Sequence, residues 1–455
     1  MHYIKQNKKS FLIVIIGAGP AGLCCAYELT KNRLDPILII EKGCDISKRN
    51  HKIFLSHYTE GVGGPGLYGD AKLCIYGRAG TKLTNFFSEG VLNRLANYVD
   101  KIFWKFDKKY TRKESPPKFK IEKLQKICKA SGFELKMAYP IRHLGFKRGK
   151  VAIENFVNWL KQNQVSIKTD TQVIRIIKNK KGYKIILKRK NLKKEIIQCT
   201  YLIVGVGRSG NQWLKKQCEI LKIPYSLNIP DIGIRIECAK NVLKPIYVLV
   251  KNPRIELSAN NSYIKTHCLC MGGEIITYFV NNIPCVDGHT NHEGENAHIN
   301  LLYHTNRNKE FIDNLSKFKK PIIQRLEDFV LGKPSLKKKI IKNKLVPTTS
   351  LSSLSFNNDI NDIFPAKMVL LMKKFINHFN KLCPGFNSDD NLVYAPAIEW
   401  NTYQIKIDKE MESKQKNLYI IGDGSGLTQG IIAAGVTGII SAQSIVRKEK
   451  GASKD

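Results

Sequence analysis

Apolar and polar positions fall in blocks that predict a βαβ unit at the start of the chain. Phe11 to Ile16 is an unbroken apolar, β-branched run and reads as a buried strand. It ends in Gly17-Ala18-Gly19-Pro20-Ala21-Gly22, and the stretch that follows reads as a helix. A second apolar run, Ile37 to Ile40, reads as the next strand and leads into Glu41. Further along, Lys168 to Thr200 reads as a β-meander and Tyr201 to Gly210 as an apolar strand running into glycines. Asp231 to Glu237 predicts a short strand, and Ser262 to Pro284 predicts strands of a mixed sheet. Glu310 to Val330 and Met368 to Lys381 predict helices, and Thr348 to Asp362 a long polar loop. A last strand is expected at Leu418 to Ile421, with a helix opening near Thr428.

Strand, glycine turn, helix, strand and acid, in that order, are the parts of a dinucleotide-binding unit. Gly17 permits the tight turn. Gly19 lets a pyrophosphate approach the backbone, and Gly22 lets the helix sit close to the strands. The helix N-terminus, with Pro20 and Ala21 in its first turn, offers amides and a positive dipole end to phosphates. Glu41 lies about twenty residues on, where a carboxylate can accept hydrogen bonds from ribose hydroxyls. Lys42 and Arg49, just beyond, are counted with the cofactor contacts.

The other end of the chain selects the dinucleotide. Gly422-Asp423-Gly424 after an apolar strand, then small residues to Gly430 and Ile431, resembles the C-terminal flavin motif of two-dinucleotide-domain flavoproteins. The resemblance implies that Asp423 binds the ribityl chain of FAD and that the next helix N-terminus faces the flavin. The cofactor expected is FAD. Asp423 stands between two glycines with no large side chain beside it to pair with, so its partner should be the cofactor.

These signatures lie far apart, so the fold class expected is α/β. A discontinuous Rossmann-like FAD-binding domain is expected at 1–75, 145–212 and 390–455. A mixed α+β substrate or cap region is expected at 76–144 and 213–389. Gly205, Gly207 and Gly210 form a second GxGxxG, but no strand ending in an acid follows at the right distance. Gly207 is therefore assigned to the FAD domain. With no nicotinamide domain, any NAD(P)H or other electron donor would bind transiently.

Gly61 to Leu73 (GVGGPGLYGDAKL), GRSGNQW at Gly207 to Trp213 and DIGIRIE at Asp231 to Glu237 widen the resemblance. So do Cys270-Met271-Gly272-Gly273-Glu274 and Val286-Asp287-Gly288-His289-Thr290-Asn291. With Gly422 to Ile431, these motifs resemble the bacterial and archaeal family of FAD-dependent dehydrogenases, in order over nearly the whole chain. The resemblance implies fold and cofactor and fixes no substrate. Pro65, Gly69 and Ala71 depart from the family pattern, where Ala, Ser and Gly are expected.

A flavin reaction usually needs a proton donor or acceptor beside the substrate. Asp70 and Lys72 in the glycine-rich loop, and Glu399 before the last strand, are the catalytic candidates; Arg208 is a further one. His289, His292, His298 and His304 have no carboxylate or cysteine at a familiar ligand spacing, so no metal is expected. His289 is expected to line a cleft or cap a turn.

Composition adds limits. The 455 residues suit two or three domains, and 43% hydrophobic content suits a globular fold. No apolar run reaches membrane-spanning length and Met1 to Ser10 is too short and polar for a signal peptide, so a cytoplasmic protein is expected. Twelve cysteines include no CxxC or CxxxxC pair, which counts against a disulfide reductase. Most are read as small buried hydrophobes, with Cys268 and Cys270 sharing one strand face. Net charge is +37, from 75 Lys+Arg against 38 Asp+Glu. It has two accounts: a solvated surface drifted towards lysine, as at Lys178 to Lys194 and Lys337 to Lys344, or attraction to an anionic partner. The function expected is oxidoreduction of a small organic substrate, as dehydrogenase or reductase. The alternatives are a flavin monooxygenase, a prenyl-lipid saturase, or an RNA-modifying flavoprotein.

Overall fold

The computed structural model describes residues 9–50, 56–107, 113–189, 194–280, 282–290 and 294–452. The chain divides into two compact units. One comprises Met1–Arg112, Arg142–Asn228 and Thr402–Asp455; the other comprises Lys113–Ile141 and Ile229–Asn401.

The first unit is built on a parallel sheet. Strands Ser166–Lys168, Ile37–Ile40, Lys9–Ile16, Glu195–Val204 and Leu418–Ile420 lie side by side in that order. Numbered by entry into the sheet this is 3-2-1-4-5, the doubly wound dinucleotide-binding order. Its strands read as unbroken apolar runs because both faces are covered. Ile13 and Ile15 pack into one core with the helices Pro20–Lys31, Glu89–Phe106, Gly145–Gln162 and Ile431–Ala452. Val14 and Ile16 pack into the other with the strands Thr171–Asn179 and Gly182–Arg189 and the helix Asn211–Ile220. Those two strands form the expected meander, antiparallel to each other and to the first half of Glu195–Val204. The α/β Rossmann-type class read from the sequence is the class observed.

The second unit holds a seven-stranded sheet: Ile322–Arg325, Leu392–Glu399, Asp231–Ala239, Asn296–His304, Ser262–Met271, Arg254–Ala259 and Glu134–Met137. Every pairing is antiparallel, not mixed. A separate hairpin, Gly273–Val280 with Ile283–Thr290, shares a core with it through Ile275, Val286, Leu302 and Tyr394.

Several expectations change. The unit borders differ from those read from the sequence. Residues 76–107 belong to the first unit because the helix Glu89–Phe106 buries Leu92, Ala96, Val99, Phe103 and Phe106 in its core. Residues 213–228 join it through Leu214 and Cys218. Residues 390–401 belong to the second unit because Leu392–Glu399 pairs with Asp231–Ala239. The helix expected over Glu310 to Val330 is broken by the strand Ile322–Arg325. Ala366–Phe379 is helical as read. No helix among the described residues is long and apolar enough to cross a membrane.

Candidate functional site

The glycine turn is made by close contacts that only glycine allows. Gly17 sits at φ 104°, and a Cβ there would lie 2.2 Å from the Gly205 carbonyl oxygen, where two strand ends converge. A Cβ at Gly22 would lie 2.0 Å from the Gly17 oxygen. Gly19 is different. It is the N-cap of Pro20–Lys31 with no side-chain cap, and a Cβ there would meet nothing closer than the Gly64 Cα at 4.0 Å. The space before the helix amides is therefore open, with Pro20 supplying the first helical position where a missing N–H costs nothing.

The two ends of the chain meet at this turn. A Cβ at Gly422 would lie 2.9 Å from the Ala21 Cβ, and one at Gly438 would lie 2.2 Å from the Ala21 oxygen. The small residues after Ile431 thus let Ile431–Ala452 approach the first helix backbone to backbone.

Glu41 is placed as read but is already committed. One carboxylate oxygen accepts from the Ala18 amide at 2.9 Å; the other accepts from Gly43 at 2.9 Å and Gly61 at 3.0 Å. A carboxylate has about four acceptor sites, which leaves about one for a ribose hydroxyl. Arg49 departs from expectation. Its guanidinium donates to the carbonyls of His57, Tyr58, Gly61, Val62 and Gly64 and stacks 3.8 Å above Tyr68. It clasps the loop over the glycine turn and has no donor left for the cofactor. Lys42 pairs with Glu60 at the surface.

The segment from Gly422 is a 3₁₀ turn to Ser425, with Gly426 at φ 74° and Gly430 at φ 95°. Positive φ at Gly430 delays the helix to Ile431, three residues past the expected Thr428. A Cβ at Gly430 or Gly207 would meet nothing within 4 Å, so both glycines border open space. Two buried amides that the sequence reading missed hold this segment. Asn211 donates to the Gly424 oxygen, and Asn228 to the Gly426 oxygen. Lys82 donates to Asn228, and Gly80 to Lys82 bond with Leu427 and Gln429. Ile431 lies 3.0 Å from where a Gly66 Cβ would be, so the glycine-rich loop seats on the helix start.

Asp423 has two side chains of this unit near it. Arg208 Nε stands 3.9 Å from its carboxylate, and Thr428 Oγ1 donates at 3.4 Å. Burial pushes the Asp423 carboxyl up to about 6, with Arg208, the Gly430 amide and Thr428 pulling the other way. The two side-chain contacts, at 3.9 Å and 3.4 Å, are long ones.

The catalytic candidates are divided between the two units. Asp70 and Lys72 come together in the first unit, Nζ to Oδ2 at 3.4 Å, with His143 Nε2 3.8 Å from the same oxygen. Ala71 between them sits at φ 46°, which explains why glycine is expected there; Gly149 leaves room for its methyl. Glu399 lies in the second unit, opposite Asp231 in register. Its carboxylate meets Lys265 Nζ at 2.9 Å and His267 Nε2 at 2.7 Å. Lys265 also meets Asp231 at 2.6 Å, and Asp231 meets His304 Nδ1 at 2.6 Å. Burial alone would push Glu399 up and Lys265 down; His267 and then Lys265 draw Glu399 below its ordinary value, and Glu399 and Asp231 hold Lys265 above its own. Asp231 is held below its ordinary value against the same burial. Alternation in the strands gave no sign of these five residues meeting. His298 instead accepts from buried Arg235, and His289 lies buried in a strand opposite Glu274 rather than capping a turn. His292 lies outside the described residues.

Comparison with known proteins agrees with the first unit. Residues 14–52 match the family model described as pyridine nucleotide-disulphide oxidoreductase. An uncharacterized protein of Clostridium beijerinckii is 21% identical, over 96% of this chain and 80% of its own length. Among solved structures, a flavoprotein/dehydrogenase of Cytophaga hutchinsonii is similar at 11% identity, over 97% of this chain and 79% of that one, with TM-score 0.43. Glycine oxidase of Geobacillus kaustophilus is similar at 11% identity, over 97% and 95%, with TM-score 0.41. At these scores the structural likenesses bear on neither site nor reaction. The matched βαβ unit, the 3-2-1-4-5 strand order and the Gly422–Ile431 segment beside the glycine turn make this a protein of Rossmann-type FAD-binding fold, with FAD as its cofactor.

Proposed function

We propose that the protein is an FAD-dependent oxidoreductase acting on a small organic substrate as a dehydrogenase or reductase. The observation that carries this reading is the meeting of the two terminal motifs at Ala21 and Gly422, with open space at Gly19, Gly207 and Gly430. Gly17, Gly19, Pro20, Ala21 and Gly22 would hold the pyrophosphate side, Glu41 the ribose, and Asp423 the ribityl chain. The flavin, when bound, supplies two-electron chemistry. This chain's own part is to orient it and manage charge. The first turn of Pro20–Lys31 presents amides to anionic oxygens. Asp70, with Lys72 and His143 around it, can hold or release the proton that accompanies a two-electron step.

Photoreduction of the purified protein without oxygen, followed by stopped-flow mixing with donors and acceptors, tests the reading. It expects a yellow protein that releases FAD on denaturation and is reoxidised by an organic acceptor. A protein that neither carries nor takes up FAD overturns it.

A further inference from the structure

Cys268 and Cys270 lie in the strand Ser262–Met271 of the second unit. In a regular strand, residues i and i+2 are about 6.6 Å apart along one face. Here the strand is not regular. The register with Asn296–His304 slips between His267 and Cys270, and Cys268 sits at φ 49°, in the left-handed region that residues with a Cβ seldom adopt. The bulge draws the two sulfurs to 3.7 Å, close enough for a side-chain rotation to join them.

Within the second unit the pair has a cation against it. Arg235 is fully buried, and one Nη lies 2.6 Å from His298 Nδ1, 3.2 Å from the Cys268 carbonyl and 3.4 Å from Cys270 Sγ, its two hydrogens shared among these acceptors. The other Nη donates to Asn300 at 2.8 Å and reaches one carboxylate, Asp287, at 3.3 Å. Its Nε donates to His298 Nδ1, so that nitrogen carries no proton. A buried guanidinium against a sulfur favours negative charge on it, as at reactive cysteines. Cys270 is buried, whereas Cys268 is partly exposed.

We propose that Cys268 and Cys270 form a dithiol–disulfide redox site in the second unit, taking low-molecular-weight disulfides as its reaction partner. The thiolate of Cys268 attacks one sulfur of the partner, forming a mixed disulfide and expelling one thiolate. The thiolate of Cys270, held by Arg235, attacks the Cys268 sulfur and expels the second. The two protons from the cysteines end on the two released thiols, and two electrons pass from the cysteine pair to the partner. The site does not depend on the flavin reading.

The test is incubation of the native full-length protein with glutathione disulfide, then acid quenching, denaturation, alkylation and peptide mass mapping. The expected result is a peptide holding both cysteines that has lost two hydrogens and takes no alkyl group. Cys270→Ser should instead keep glutathione on Cys268. Cys74, partly exposed like Cys268, reports access of the reagent to other thiols. Wild-type protein that keeps both thiols alkylatable, or that keeps glutathione on Cys268, overturns the proposal.

Discussion

Glycines that look alike in the motif do different work, and single substitutions separate them. At Gly22 an added Cβ meets the Gly17 carbonyl at 2.0 Å, so Gly22→Val should cost several kcal/mol and reduce soluble yield. At Gly19 the side chain enters only open space, so Gly19→Val should fold with a near-normal melting temperature and lose FAD. Thermal unfolding and flavin content of the two variants check this; equal flavin in Gly19→Val and wild type would remove the pyrophosphate assignment. Asp423 adds a pH test. Its carboxyl is pushed up to about 6 without ligand, whereas ribityl hydroxyls donate to the ionised form. FAD affinity should therefore be flat above that value and fall as pH drops through it. Asp423→Ala should lose roughly 1.5–3 kcal/mol of binding at neutral pH, about 10- to 150-fold, and lose the pH dependence as well. Fluorescence titration from about pH 5 to 8 reads both.

The elements of the first sheet were legible because each carries its own signal: a buried parallel strand is apolar throughout, and glycines mark where strands end at a ligand. Pairing between distant strands carries no such signal. Glu399 is a candidate because the last strand, from Leu418, follows it in the sequence. Its own strand pairs with Asp231–Ala239, which sets it opposite another acid, and no local pattern announces that pairing. Asn211 and Asn228 were equally silent, since nothing in their spacing tells that their amides meet Gly424 and Gly426. The strand network permits a prediction of its own. Lys265 separates two buried carboxylates, so Lys265→Met should destabilise the second unit by about 3–5 kcal/mol near neutral pH. In wild type, the low-held acids contribute stability above their unfolded values and lose it as pH falls. Lys265 contributes below its unfolded value and loses it only at high pH. Without the lysine each acid keeps one histidine partner, His267 or His304, and loses part of what favours its ionised form. The penalty should then shrink as pH falls towards about 4. Urea unfolding of both proteins at two pH values checks the sign, and a penalty that grows on acidification would contradict the network.

At the scale of the whole molecule, every residue assigned to FAD lies in the first unit. A ligand stabilises the structure that binds it by RT ln(1 + [L]/Kd). Hydrogen exchange with and without FAD should show slowing concentrated in 11–22, 202–210 and 418–438. Unchanged exchange in those three stretches would mean that the cofactor contacts were misassigned. The net charge of +37 belongs to this scale too, and any polyanion held by it should dissociate steeply with added salt. The division of the first unit into three stretches of chain also orders events during synthesis. Its first helix, Pro20–Lys31, has Cys24, Cys25, Ala26 and Leu29 buried, and it packs on Ile431–Ala452. Roughly 200 residues separate Val204 from the strand Leu418–Ile420 that completes the sheet, so a ribosome takes on the order of 10–40 s to supply it. For that interval the nascent chain presents an apolar helix face and an unpaired strand edge to the cell, and the protein's yield rests on whatever shields them until Leu418–Ile420 and Ile431–Ala452 have been made.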